Sequence, residues 1–258
     1  MATWRRGRTA ILALCIALTA AALTACRSNP DDIIDWQRDP NTILFRADVT
    51  GGDQDALTAL NDVPRCTIYG DNRVVWVNEL GGFSIEVLQD RLPDPTITRF
   101  VGYLTVSEQI YTYNTKVRTP VPDAQPVIES IALAVNGVTH LTDSDSGWDQ
   151  NWFGRVVDAC AALSTAPILF APEGGWLIAV ETPYDINAPA SGWDGVRLAD
   201  AAAAREPVWI TGEGATLLWD TIHRSPSNLM LVEDGVYYRV ALQVPGVSRN
   251  APPAPATE

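Results

Sequence analysis

The stretch QPVIESIALAVNGVTHLT (125–142) constrains the fold more than any other. Ile128, Ser130, Ala132 and Ala134 alternate with Glu129, Ile131, Leu133 and Val135, and Asn136-Gly137 follows. Period-two alternation sends successive side chains to opposite faces of a strand. Asn-Gly supplies the two positive-φ positions of a type I′ turn, whose twist matches that of paired strands. The segment therefore predicts a β-hairpin with one face against a core.

The same punctuation recurs. TILFRADV (42–49) reads as a strand ending at Gly51-Gly52, and CTIYGDNRVVWV (66–77) places two β-branched and aromatic runs around Gly70-Asp71-Asn72. WLIAVET (176–182) adds a strand, and NLMLVEDGVYYRVALQV (228–244) adds two more around Asp234-Gly235. Helical periodicity is rarer. In 150–163, Trp152, Val156, Ala159/Cys160 and Leu163 share one face, and in 213–224 Leu217, Leu218 and Ile222 do so. His223 and Arg224 end that second helix, where its dipole favours cations. A third helix is expected near 96–104, after Pro93 and Pro95, and 195–206 has the composition of a short one. No strand–helix–strand repeat appears. The fold class expected is α+β, mostly antiparallel β hairpins with two or three helices.

The chain of 258 residues carries 31 acidic residues against 18 basic, a formal charge of −13. Such a chain is repelled by phosphate backbones and anionic headgroups, which argues against nucleic-acid partners. Arg5, Arg6 and Arg8 precede an apolar run from Ala10 to Leu23, too short for the ~20 apolar residues of a membrane span. A basic start followed by such a core is the layout of a secretory signal. The surroundings of Arg5-Arg6 match the twin-arginine motif poorly, so the general secretion route is expected.

The run ends in Leu23-Thr24-Ala25-Cys26, which resembles the lipobox of bacterial lipoproteins. The resemblance implies cleavage before Cys26, a diacylglyceryl thioether on its sulfur and acylation of the new amino terminus. Several acyl chains hold far more firmly than one, at ~0.8 kcal/mol per buried methylene. Residues 1–25 are thus expected to be a signal peptide, and losing its three arginines takes the charge from −13 to −16. Residues 26–41 are expected to be the lipidated cysteine and a tether, and 42–245 a globular α+β domain, with a division into two subdomains near 143–165 left open. Residues 246–258, rich in Pro and Ala, are expected to be disordered. The expected location is the cell membrane, lipid-anchored and facing away from the cytoplasm.

A second resemblance rests on ILFRADVTGG, CTIYGDNRVVWV and ITGEGATLLWD…GVYYRVALQVP. These segments look like those of uncharacterised lipoproteins from GC-rich bacteria, in which a short strand and glycine turn precede a Tyr-Gly-Asp-x-Arg-Val hairpin. The resemblance implies location and fold and carries no catalytic residues.

After processing, Cys66 and Cys160 are the only unmodified cysteines. Outside the cytoplasm such a pair favours a disulfide. Asp143, Asp145 and Asp149 stand at positions 1, 3 and 7 of a calcium-loop-like run. However, Trp148 sits where the turn wants Gly, and Gly154 where a bidentate Glu belongs. The simpler expectation is helix capping at Ser146-x-x-Asp149, repeated at Ser191-Gly192-Trp193-Asp194. Gly212-Glu213-Gly214 opens a helix but lacks the third glycine and the Lys of phosphate loops, so Thr211 is expected to act only as an N-cap. His140 and His223 are the only histidines, and no G-x-S-x-G elbow accompanies them. Neither they nor the cysteines form a pair at zinc spacing. No catalytic residue, metal or cofactor beyond the Cys26 lipid is therefore expected. The function expected is a binding or adaptor role at the cell envelope, with an envelope protein as candidate partner. The alternative is a carboxylate-dependent hydrolase or carbohydrate-active protein, for which Trp148 and Trp193 are candidate stacking surfaces.

Overall fold

The computed structural model describes residues 34–81, 84–116 and 125–256, and the expected signal peptide and Cys26 lie outside them. The hairpin at Asn136-Gly137 forms as expected, with φ of 52° and 74° at the turn. It joins β5 (Ile128–Val135) to β6 (Val138–Asp143). β5 pairs antiparallel with β1 (Ile43–Thr50), setting Leu133 opposite Phe45 and Ile131 opposite Ala47. β1 pairs in turn with β2 (Cys66–Tyr69), and β3 (Arg73–Gly81), β4 (Ser84–Arg91) and β7 (Ile168–Leu169) complete a seven-stranded sheet in the order β6-β5-β1-β2-β3-β4-β7.

The two faces of this sheet bury different partners. Phe45 and Ala47 point to one face, where α2 (Asp94–Gly102) sets Phe100 edge-on to Phe45 with centroids 5.0 Å apart. There α3 (Trp152–Ala161) buries Trp152, Phe153, Val156 and Cys160. A disulfide joins Cys160 to Cys66 of β2, with Cα atoms 6.4 Å apart, so the expected pairing forms. Tyr69, Val75 and Val87 on the opposite face share a core with Phe170, Leu177, Trp219 and Leu242.

Leu177 and Leu242 belong to a second sheet, ordered β10-β8-β12-β11-β9. Its strands are β8 (Gly174–Glu181), β9 (Ala190–Gly192), β10 (Val208–Thr211), β11 (Met230–Glu233) and β12 (Val236–Gln243). Only β9 and β11 run parallel among its described pairs. Two helices accompany it, α4 (Leu198–Ala204) and α5 (Gly212–His223). One compact unit spans Trp36–Glu258. The described residues thus form a mainly β, mixed α+β fold of twelve strands and five α-helices. The three longest helices are those anticipated over 96–104, 150–163 and 213–224, while α4 and the single turn α1 (Ala56–Ala59) are short. The chain changes sheet at 170–173, after the 143–165 stretch considered as a junction.

Both edges of the expected domain extend. Trp36 is buried and donates its indole N–H to the Gly70 carbonyl. At Gly70 a Cβ would lie 2.1 Å from the Gln37 carbonyl oxygen, so only glycine lets the entering chain cross here. At the far end Val247 and Ser248 are buried, and Pro253 accepts a 3.0 Å bond from the Trp176 indole. The Pro/Ala composition promised disorder, but these anchors sit among the prolines. Capping also differs from expectation. Ser146 bonds back to Asp143 in a short 3-10 turn, and Ser191-Gly192 belongs to β9. The amides of Leu198 and Ala199 that open α4 donate to the Glu233 carboxylate of β11, at 3.2 and 2.9 Å. Thr211 stands at the N-cap of α5 without a side-chain cap bond.

The disulfide spans 94 residues of chain and ties the helical layer to the central strand β2. Loop entropy alone makes such a bridge worth about 4 kcal/mol. A Cys66→Ala/Cys160→Ala double variant should melt roughly 8–16 °C lower, since 1 kcal/mol shifts Tm by ~2–4 °C at this size. Thermal unfolding under non-reducing conditions checks this.

Candidate functional site

The turn α1 is too short to be stable alone and is held by its ends. Asp55 caps it, accepting from the amides of Leu57 and Thr58 at 3.1 Å, and also accepts from Arg239 at 2.8 Å. Arg239 holds the Asp55 carboxyl well below the usual carboxylate range, against the opposing pull of burial. The turn delivers Asn61 and Asp62 to the seam between the sheets. β11 pairs with β12 only as far as Tyr238, which leaves the backbone of Val240 and Leu242 facing outward. The Asn61 carboxamide fills that edge, donating to the Val240 carbonyl at 3.3 Å and accepting from the Leu242 amide at 2.9 Å.

Asp62 fastens the C-terminal segment. Its carbonyl accepts from the Arg249 amide at 2.9 Å and its carboxylate from the Arg249 guanidinium at 2.8 Å. The same guanidinium is bidentate to Asp48 of β1, at 2.8 and 2.9 Å, and donates to the Val49 carbonyl. Arg249 and Asp48 have side chains only 15% and 9% exposed, so each neutralises a charge the other could not carry alone.

His223 closes the seam from α5. Its Nδ1 lies 2.9 Å from the Trp219 carbonyl oxygen and its Nε2 3.3 Å from that of Asn61. Burial pushes the imidazole below its ordinary pKa, although both carbonyls favour the cation. The cationic helix end expected here is therefore a buried group held toward neutrality. Leu217 is likewise exposed, because α5 buries Ala215, Leu218 and Trp219 instead.

These groups border a cleft of about 390 Å³ between the two sheets. Half of its lining is apolar, including Val77 and Ile85 of the first sheet, Ile222 of α5, Leu229 and Val240 of β12, and half is polar, including Gln54, Thr58, Ser225 and Ser227. An Arg65–Glu79 ion pair stands at the mouth, with side chains 38% and 65% exposed, while Asp62, Arg249 and His223 lie deeper. A cleft of this size with apolar surface and placed polar groups suits a small ligand. A second groove of about 840 Å³ beside α4 is lined by alanines together with Glu181, Arg205, Glu206 and Tyr238.

The sites singled out in the sequence lie elsewhere. Asp143 accepts from the Asp145 amide at 3.0 Å, and Asp149 makes a bidentate pair with Arg155 at 3.0 Å. Arg155 holds Asp149 below its ordinary pKa and thereby neutralises the third calcium-loop acid. Among the described residues no three His, Cys, Asp or Glu side chains stand together as a metal site requires. His140 bonds the Ile110 carbonyl at 3.0 Å and packs edge-on to Tyr111, distant in function from the buried His223. Trp148 stacks on Phe153 and bonds Thr142, and Trp193 is buried with its indole bonded to Val196. Both proposed stacking surfaces are thus occupied by the fold. Asn61, Asp62 and Arg249 carried no sequence signal, since each acts across more than 170 residues of chain.

No family model, no curated protein and no solved structure matches this chain.

Replacing Asn61 by Ala should cost about 2–6 kcal/mol, because two part-buried backbone groups of β12 lose their partners at ~1–3 kcal/mol each. Chemical denaturation at pH 7.5 measures it. For His223 the lowered folded pKa means that the unfolded chain takes up the proton first. Its stabilising contribution is present above about pH 6.5 and is lost as pH falls below that. The melting temperature should therefore drop between pH 7.5 and 5.5, and His223→Phe should flatten that slope.

Proposed function

We propose that the chain is a lipid-anchored lipoprotein of the cell envelope, facing away from the cytoplasm, with a binding or adaptor role. The observation that carries the binding half is the cleft between the sheets, with aliphatic and polar side chains lining it and ion pairs at its mouth and floor. The anchoring half rests on the basic start, the apolar core and Leu23-Thr24-Ala25-Cys26. The Cys66–Cys160 disulfide agrees with an oxidising compartment. Among the described residues no helix is long and apolar enough to cross a membrane. The lipid on Cys26 works against the chain's own negative charge, which holds the folded unit off an anionic surface.

The carboxylate-hydrolase reading has less support. Trp148 and Trp193, the tryptophans it would use to stack a sugar, are taken up by packing and hydrogen bonds within the fold. Envelope function instead predicts a protein that stays with the membrane and retains a partner.

Cys26→Ala should release the protein from the membrane fraction or leave it unprocessed, as fractionation and intact-mass measurement will read. Variant protein still at mature size in the membrane would overturn the anchor. Crosslinking of the tagged wild type in intact cells should bring a defined partner or ligand with it.

A further inference from the structure

The cleft's lining narrows the chemistry of what it holds. Nine tryptophans occur in the chain, yet among the described residues lining the cleft none is aromatic except the His223 imidazole. Sugars and planar ligands are usually gripped by aromatic faces. Val77, Ile85, Ile222, Leu229 and Val240 offer branched aliphatic surface with no π-face, beside a polar half that includes Gln54, Asp62, Glu79, Ser225 and Ser227. Such aliphatic surface rewards a flexible alkyl chain through apolar area, at ~25 cal/mol per Å². At the ~30 Å³ a water molecule occupies in the liquid, 390 Å³ has room for about a dozen heavy atoms.

The two arginines of the cleft differ in what they still offer. All three nitrogens of Arg249 are engaged by Asp48, Asp62 and the Val49 carbonyl. Among the described residues Arg65 donates from one nitrogen, to Glu79, a carboxylate 65% exposed at the mouth. A guanidinium presents five donors in a planar fork that fits a carboxylate bidentately. Arg65 can therefore take a second anion beside Glu79, or exchange that solvent-exposed partner at little cost, since such surface pairs are worth only ~0–1 kcal/mol. Arg65 and the aliphatic side chains border one space.

We infer that the cleft binds an aliphatic acyl chain of about ten carbons bearing an anionic head, with the chain against Leu229 and Val240 and the head on Arg65. The inference rests on the binding role proposed above and names its ligand class. A medium-chain fatty acid and the acyl chain of an anionic phospholipid share this chemistry.

The test is photolabelling of the full chain in phosphatidylcholine nanodiscs, with a diazirine analogue of decanoic acid in one arm and phosphatidylglycerol carrying a diazirine acyl chain in the other. Label should map to peptides bearing Val77, Ile85 or Leu229 and be competed by decanoate. Decanol should compete at least tenfold less well, because it has no charge for Arg65. Leu229→Trp should abolish labelling by filling the cleft, and Arg65→Gln, at a half-exposed position, should raise the competing decanoate concentration at least tenfold. Label from the free acid alone or the phospholipid alone supports the inference and identifies the source. Label outside the cleft, label indifferent to both substitutions, decanol competing as well as decanoate, or no label in either arm would overturn it. Failure here in a protein that Cys26 still anchors removes the ligand and leaves the anchor standing, whereas failure of the Cys26 test leaves this labelling unaffected.

Discussion

At the edge of the core that the two sheets share, one pair of consecutive residues, Asn61 and Asp62, fastens them. β12 runs past the end of β11, and an exposed strand edge inside a fold is costly unless something pairs with it. The Asn61 carboxamide offers one donor and one acceptor in the spacing of a peptide group, so a side chain stands in for a strand. Its neighbour draws in Arg249 and, through it, Asp48 of the other sheet. Alignment of β1, β12 and the C-terminal segment follows from these few bonds. Asn61, Asp62 and Arg249 of this seam all line the cleft.

Charge is handled in the same economical way. The chain is strongly acidic, yet its arginines are placed where a carboxylate would otherwise be stranded. Arg249 sits between Asp48 and Asp62, Arg239 steadies Asp55, and Arg155 bridges Asp149 and Glu108. The surplus acids remain in solvent, where they give solubility and repulsion from anionic surfaces without disturbing the core. Other carboxylate partners are mostly in water, as for Arg65 with Glu79, Arg155 with Asp149 and Arg197 with Asp234.

The covalent and electrostatic ties divide the work. The disulfide binds α3 to β2 on one side of the central sheet, while the Asn61–Asp62 seam binds the second sheet on the other. β2 and the residues just before it thus carry both attachments. A break in either would loosen one layer and leave the other in place, and the cleft depends only on the second.

Much of this architecture was legible in the residues. Hairpins at Asn136-Gly137 and Asp234-Gly235, the strands around Gly70-Asp71-Asn72 and the amphipathic helix bearing Cys160 all follow from local rules of φ and side-chain period. The acidic balance and the Leu-Thr-Ala-Cys box are likewise properties of the sequence alone. The cap of α4 by Glu233, the ordering of the segment after Gly246 and the neutral, buried His223 were not legible. Local pattern put a serine at the cap, disorder at the tail and a cation at the helix end. Each was overruled by a partner far away in the chain. Backbone geometry is set by neighbours within a few residues, so the sequence determined the elements. Burial and pairing depend on which distant groups arrive together, so only the tertiary structure decided the seam, the cleft and the charges that line it.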